Sequence, residues 1–103
     1  MGCNQGVNSQ RRVGPIVYRV MTFAEVGDSI PPHTHHFPHA TIGVRGRVRV
    51  NLYYLGVLAE SVVLGPREGI NVPADAEHEI VGEEPDSEGW CIFVNHGTSE
   101  DAL

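Results

Sequence analysis

Short apolar segments, separated at close intervals by glycine, proline or aspartate, constrain the fold of this chain most strongly. Seven of them are rich in Val, Ile, Tyr and Phe, namely IVYRVMTF (16–23), TIGV (41–44), VRVNLYYL (48–55), ESVVL (60–64), INVP (70–73), HEIVG (78–82) and WCIFVNH (90–96). None has an apolar period of 3.6 residues over a helical length. With 12 glycines and seven prolines in the chain, the pattern predicts β-strands joined by turns, and an eighth strand is expected through 30–36.

The length of the chain sets the size of the fold. Its 103 residues can bury one hydrophobic core but not two. An all-β domain of this size is expected to be a sandwich or a small antiparallel β-barrel. We predict one domain over residues 15–98, between a flexible N-terminal segment (1–14) and a flexible C-terminal tail (99–103).

Charge and cysteine content limit the kinds of partner and the cellular compartment expected for this chain. Asp and Glu outnumber Lys and Arg by 13 to 7, which argues against a protein that mainly binds nucleic-acid phosphates. The apolar segments are too short to span a bilayer, and the opening MGCN has neither an apolar signal core nor, with Gly6, the Ser or Thr of a myristoylation site. Cys3 and Cys91 do not make a disulfide framework. We therefore expect a cytoplasmic protein without nucleic-acid or membrane partners.

Four of the six histidines fall within seven positions of the segment PPHTHHFPHATIGVRG (31–46). Side chains alternate between the two faces of a strand, so His33 and His35 share one face and His36 takes the other. A bend at Pro38 would bring His39 into the same space as the first pair.

A fourth imidazole, from His78, can come from a neighbouring strand that follows the turn-like ADAE. Neutral imidazole suits Fe, Ni, Cu and Zn better than Mg or Ca. The sequence therefore predicts a transition-metal site inside a barrel.

The segment GDSIPPHTHHFPHATIGVRG (27–46) resembles the first motif of the cupin superfamily, which reads G, five residues, H-x-H, three or four residues, E, six residues, G. Matching positions are held by Gly27, His33, His35 and Gly46, and His39 stands where the family usually has Glu. The later PADAEH is similar to the core of the second motif, P-x-G-x-x-H. There Pro73 and His78 match, and Asp75 replaces the glycine.

The resemblance implies a small double-stranded β-helix of the jelly-roll type with one divalent transition metal, Fe(II), Ni, Zn, Mn or Cu. Its implied ligands are His33, His35, His39 and His78. Four neutral imidazoles leave the metal charge uncompensated, whereas the usual Glu would cancel one unit. In an octahedral shell, four protein ligands leave two positions for water, a small organic molecule or dioxygen.

Two classes of function stay open. The first is a metal-dependent enzyme of dioxygenase, isomerase or lyase type that acts on a small organic molecule. The second is a non-catalytic cupin that binds or senses a metal or small ligand. No acid or base is nominated for the enzyme, because strand alternation turns Glu77 and Glu79 away from the face of His78. A homodimer is expected, formed through VRVNLYYL and the N-terminal segment.

Other residues carry weaker signals. His36 and His96 are expected to be surface or hydrogen-bonded residues, and RGR (45–47) is typical of a hairpin turn. Tyr18 is expected in the core or an interface. On the last strand, Trp90, Ile92 and Val94 share one face, and Cys91, Phe93 and Asn95 share the other. If the second set lines the barrel, Cys91 is a pocket residue near the metal.

Overall fold

The computed structural model describes residues 6–94, and this part of the chain consists of β-strands, turns and loops without a helix. The strands are β1 Val7–Val13, β2 Ile16–Phe23, β3 Ser29–His33, β4 His39–Arg45, β5 Val48–Tyr54, β6 Val57–Leu64, β7 Gly69–Val72, β8 Glu77–Gly82 and β9 Ser87–Val94. Each predicted strand overlaps one of β2 to β9, so the all-β prediction is confirmed. Within residues 6–94 no helix is long and apolar enough to cross a membrane.

Two antiparallel sheets enclose the core. One has five strands in the order β1-β2-β9-β4-β7, and the other has four in the order β3-β8-β5-β6. Every second side chain of β5 and β8 is buried, as the two-residue period of a strand facing a core requires. Both sheets contribute to a single apolar core that includes Met21, Phe23, Val50, Ile80 and Phe93. The predicted small antiparallel barrel is therefore present, built as two packed sheets.

Strand β9 settles which face of the last segment lines the interior. Cys91 and Phe93 are 2% and 7% exposed, respectively. Trp90 points outward, where it stacks on Tyr18 at a ring separation of 5.1 Å. Cys91 is therefore an interior residue, and Tyr18 belongs to the outer face of the five-stranded sheet.

The chain before Pro15 differs from its predicted flexibility. Val7–Val13 forms strand β1, which pairs along its whole length with β2 in a hairpin. The turn contains Gly14, whose φ of 57° lies in the left-handed region that glycine adopts easily. Backbone pairing with β2 orders this segment, whose residues 9–13 are exposed. Cys3, His96 and the predicted flexible tail 99–103 lie outside the described residues.

The segment Arg45–Arg47 is not a hairpin turn, so that prediction was wrong. Strands β4 and β5, which it joins, belong to different sheets. Gly46, with φ 63°, turns the chain from one sheet into the other. A short Gly-containing link has the same sequence pattern whether it joins two paired strands of one sheet or two strands of different sheets. The pattern therefore does not indicate which strands pair.

Gly43 on β4 offers a test of how the barrel closes. Its carbonyl accepts a hydrogen bond of 2.8 Å from the N–H of Arg67. A Cβ at this position would collide with the backbone carbonyl of Gly65, which cannot rotate away. We expect Gly43→Ala to lower the free energy of unfolding in urea by about 1–3 kcal/mol.

The matched control is Gly65→Ala, because a Cβ there would meet only the carboxylate end of the flexible Glu68 side chain, at 3.1 Å, and not backbone. Its expected loss is below about 1 kcal/mol, as for an ordinary surface substitution. Equal losses in the two variants would contradict the close approach of Gly43 and Gly65.

Candidate metal centre

Strands β3 and β8 place His33 and His78 opposite each other. The two residues are Cα partners in the antiparallel ladder. Strand β3 lies at the edge of its sheet, where Pro31 and Pro32, which lack N–H donors, are tolerated. The register shifts between Ile30 and His33, and this irregularity interrupts the regular pairing just before the first histidine. The sequence PPH therefore sets where the first imidazole enters the barrel.

His35 lies in the loop after β3 and is held by the turn that precedes β8. The N–H of Asp75 donates a hydrogen bond of 2.7 Å to the carbonyl of His35. Asp75 has a φ of 63°, a left-handed conformation that explains why the similar cupin motif has glycine at this position. The His35 ring stacks on Phe37 at 5.1 Å, and Phe37 stacks on Phe93 at 4.1 Å. Two loops and the apolar core thus fix the second imidazole.

His39 opens strand β4 and enters the same space from the opposite sheet. Its side chain is 3% exposed, and it faces inward with Thr41. Its ring centroid lies 4.9 Å from that of His78 and 5.2 Å from that of His35. Neither of its ring nitrogens has a hydrogen-bond partner within residues 6–94. Because unpaired buried polar atoms are costly, the ring nitrogens of this imidazole are suited to bind a metal ion.

The structure brings together the four histidines that the sequence nominates. One potential ligand atom from each of His33, His35 and His78 lies within 4.8 Å of the others. The His33 ring centroid is 4.8 Å from that of His35 and 4.2 Å from that of His78. Three imidazoles therefore have the spacing of a metal site, and His39 packs against two of them.

Backbone carbonyls orient two of the four rings. Nδ1–H of His33 donates to the carbonyl of Pro31 at 2.7 Å, and Nδ1–H of His78 donates to that of Ala76 at 2.9 Å. In both rings Nε2 is buried and without a partner among the described residues. Metal-binding histidines typically donate their second ring nitrogen in this way, which directs the lone pair of the first at the ion. The donor set therefore fits a transition metal.

Burial keeps these imidazoles neutral. Desolvation lowers the pKa of His35 and His78 to about 4 and that of His39 to about 3, and it also lowers the pKa of His33. The nearby charges that shift these values belong to other histidines and to Arg19, and all of them lower the pKa. Because the neutral ring is the metal-binding form, the four side chains are in the required state near neutral pH.

The interior position of Arg19 is a site feature that the sequence analysis did not nominate. Arg19 lies on the same face of β2 as Val17, Met21 and Phe23, which are at most 2% exposed. Its Nε is buried without a hydrogen-bond partner among residues 6–94. The signal was present in the sequence, because a charged residue between apolar residues at even spacing shares their face. Cys91, its Cα partner on β9, has burial as the main cause of a pKa raised to about 11.

Three neighbouring residues take no part in the cluster. The His36 side chain is 95% exposed beside Asp75, which confirms its predicted surface position. The Glu79 carboxylate accepts hydrogen bonds from Asn51 at 3.1 Å and from Tyr53 at 2.8 Å. Glu77 lies two residues earlier on the same strand face. Both carboxylates therefore turn away from the imidazoles, as strand alternation predicts.

Solved structures with the same fold include cupins. A cupin superfamily protein from Desulfitobacterium hafniense DCB-2 matches with a TM-score of 0.70 and 17% identity, over 92% of this chain and 82% of its own. An RmlC-like cupin with a double-stranded β-helix fold from Methanocaldococcus jannaschii gives a TM-score of 0.71 and 14% identity, over 91% and 84%. The chain therefore has the fold of a small cupin domain.

Oxalate oxidase also shares this fold, with a TM-score of 0.76 and 16% identity. The match covers 93% of this chain but 54% of that one, so the chain spans about half of the enzyme's length. No protein-family model and no curated protein matches the sequence. Similarity at this level shows the fold, and the chemistry has to be argued from the site.

The lowered histidine pKa values predict a pH-dependent stability for the metal-free protein. In the unfolded chain the same side chains titrate near 6.5, whereas the folded pKa values are about 4 for His78 and about 3 for His39. The unfolded chain therefore binds more protons than the folded chain between these limits. The contribution of these histidines to the free energy of unfolding is greatest above about pH 6.5, and the free energy of unfolding falls as the pH drops below that value. Each such proton contributes up to about 1.4 kcal/mol per pH unit.

Thermal unfolding of metal-free protein between about pH 4 and 8 tests this expectation. Wild type should lose melting temperature steeply below about pH 6.5. His39→Leu, which removes one of these groups, should show a shallower decline, whereas the exposed-site variant His36→Leu should follow wild type. Identical pH profiles for wild type and His39→Leu would contradict the buried neutral state of His39.

Proposed function

We propose that this protein is a metal-dependent enzyme that acts on a small organic molecule at a four-histidine site inside the barrel. The observation that carries the proposal is the set of buried imidazole nitrogens with no partner among residues 6–94. They are Nε2 of His33, Nε2 of His78 and both ring nitrogens of His39. Donors of this kind favour a divalent transition metal, Fe(II), Ni, Zn, Mn or Cu. Oxalate oxidase, an enzyme, has the same fold.

In this proposal His33, His35, His39 and His78 hold the ion. A bound divalent metal supplies Lewis acidity and orients a small molecule that binds it. The chain itself fixes the imidazoles of His33 and His78 through backbone carbonyls and packs one side of the cluster with apolar rings. Phe37, between His35 and Phe93, provides that apolar side.

A second function, binding or sensing without catalysis, is favoured by one observation. The charged groups that shift the pKa values of the four histidines include no carboxylate from the described part of the chain. An enzyme that moves protons needs a general acid or base close to the reacting atoms. If the substrate does not supply a general acid or base, the site binds the small molecule without catalysing a reaction.

Elemental analysis of the purified protein, followed by an oxygen-uptake screen with small organic molecules, separates these functions. Iron with substrate-dependent uptake would identify a dioxygenase. Zinc or nickel without uptake would leave isomerase, lyase or binding roles, which product analysis of the same mixtures distinguishes. Protein that carries no transition metal, and takes none up when it is supplied, would overturn both functions.

Substitution of His39 decides between a four-histidine and a three-histidine site. We expect His39→Leu to weaken Zn(II) binding by at least about 10- to 100-fold in competition with a chelator, because a ligand is lost. His36→Leu should bind like wild type, since that side chain is exposed. Unchanged affinity in His39→Leu would reduce the site to His33, His35 and His78.

We also propose a homodimer, formed through the exposed hairpin of β5 and β6. Strand β6 is the unpaired edge of the four-stranded sheet. Around the hairpin turn, Tyr54, Leu55 and Val57 are 71%, 86% and 67% exposed, respectively. An apolar edge strand of this kind favours pairing with a second chain.

Light scattering of a charged variant tests the dimer. Wild type should have twice the mass of one chain, and Val57→Arg should shift the protein to monomer by placing a charge in the interface. The matched control is Val26→Arg, because Val26 is 62% exposed but lies away from this hairpin. A monomeric wild type, or equal behaviour of the two variants, would contradict the assignment.

A further inference from the structure

Arg19 brings a permanent positive charge to the imidazole cluster. It occupies an inward position on β2, where the residues on either side along that face, Val17 and Met21, are buried. Its Cα partner on β9 is Cys91, whose thiol lies 3.2 Å from the hydroxyl of Thr41 in the interior. Thr41 faces inward two residues from His39 on β4, so the strand register brings Arg19 to the part of the interior that holds the cluster. In agreement, its charge lowers the pKa of all four histidines, after desolvation as the main cause.

The hydrogen-bonding state of Arg19 indicates a ligand. Its Nε is buried and has no partner within residues 6–94. A buried guanidinium nitrogen without an acceptor is costly, and the buried nitrogens of arginine are normally paired. By contrast, Arg49 on the outer face of β5 is paired with Glu83 at 3.0 Å.

The charge balance of the interior points the same way. No described carboxylate offsets Arg19 at the cluster, and His39 stands where the similar cupin motif has Glu. The buried Asp28 is already committed, because it accepts a hydrogen bond of 3.1 Å from the N–H of Glu25. A divalent metal on neutral imidazoles would add two further positive charges. Such a site attracts and retains an anion.

We propose that the barrel interior binds a small organic acid whose carboxylate is held by Arg19 beside the metal. The inference rests on the proposed metal site and names the substrate class of that site. Guanidinium and carboxylate form two parallel N–H···O bonds, the strongest common pairing of this type. The remainder of the acid faces Phe37 and Phe93 and is therefore uncharged.

The chemistry favours a carboxylate over a phosphate. A phosphate group offers more oxygens and more charge, and protein sites meet it with several cations or a row of backbone N–H groups. All seven basic residues of the chain are arginines. The other six, Arg11, Arg12, Arg45, Arg47, Arg49 and Arg67, lie on outer faces or in turns. Arg19 is thus the single cation facing the cluster within residues 6–94.

Calorimetry with three probes tests the proposal. Zn(II)-loaded wild type, Arg19→Met and Arg19→Lys are titrated with glycolate, with its neutral counterpart glycolamide and with inorganic phosphate. Wild type should bind glycolate at least about tenfold more tightly than glycolamide or phosphate. Arg19→Met should lose at least about tenfold in glycolate affinity, and Arg19→Lys should lose less, because it keeps the charge but not the paired N–H groups.

The controls separate this inference from the metal site. Glycolamide should bind wild type and Arg19→Met alike, and Zn(II) should bind Arg19→Met at least as tightly as wild type, because a repelling charge is gone. If Zn(II) binds and the glycolate affinity is equal in wild type and both variants, the role of Arg19 is overturned but the metal site is not. Failure of Zn(II) to bind wild type would overturn the metal site itself.

Two further results would also contradict the proposal: tighter binding of phosphate than of glycolate, and no preference of wild type for glycolate over glycolamide. Should Arg19→Met fail to fold, Arg19→Lys decides. A drop in its glycolate affinity with unchanged glycolamide binding supports a carboxylate held by the guanidinium, and unchanged glycolate affinity overturns it.

Discussion

The enclosure of four neutral imidazoles between two sheets, with His39 and His78 buried and His33 and His35 half-buried, is the constraint on which the rest of this structure depends. His33 and His78 come from one sheet, His39 comes from the other, and His35 is carried by the loop between them. Desolvation keeps the pKa values of these rings low, and buried ring nitrogens of His33, His39 and His78 have no partner among the described residues. Folding has to outweigh that cost, and a bound metal would repay it by pairing the nitrogens.

The absence of a nearby carboxylate among the described residues gives the site its chemical character. In a ligand set with Glu, one unit of metal charge is cancelled by the protein. Here His39 contributes no charge, and Arg19 adds a positive one. If a metal occupies the site, as we propose, the electrostatic compensation would come from what the site binds, and the same shortage explains why no general base is evident. The proposed anion binding and the lack of an evident general base thus follow from the same two features, His39 in place of Glu and the charge of Arg19.

Much of the fold could be predicted from the sequence, because strands that face a core on one side carry a two-residue apolar period. The segment 16–23 matches β2 at both ends. Strand β1 could not be predicted, since its order comes from backbone pairing with β2 rather than from apolar residues. The link Arg45–Arg47 was misassigned for a related reason: a short glycine-containing turn does not reveal whether the strands it joins share a sheet.

The residues of the site also divide into those that the sequence predicts and one that it does not. His33, His35, His39 and His78 could be nominated from spacing and from the resemblance to cupin motifs, because metal ligands recur at fixed separations. Arg19 was missed, although its alternation with Val17 and Met21 along β2 indicates the interior face. A charged residue is expected at the surface by default, and only the register of β2 against β9 shows that this one lies next to Cys91 in the interior.

The central claim is that the imidazoles of this cluster bind one transition metal together. X-ray absorption of protein loaded with a single equivalent of Zn(II) tests it most directly, because the spectrum counts imidazole ligands around the absorbing ion. The account predicts four imidazole nitrogens at about 2.0–2.1 Å. A shell dominated by oxygen ligands, or a spectrum unchanged by the substitution His78→Ala, would contradict it.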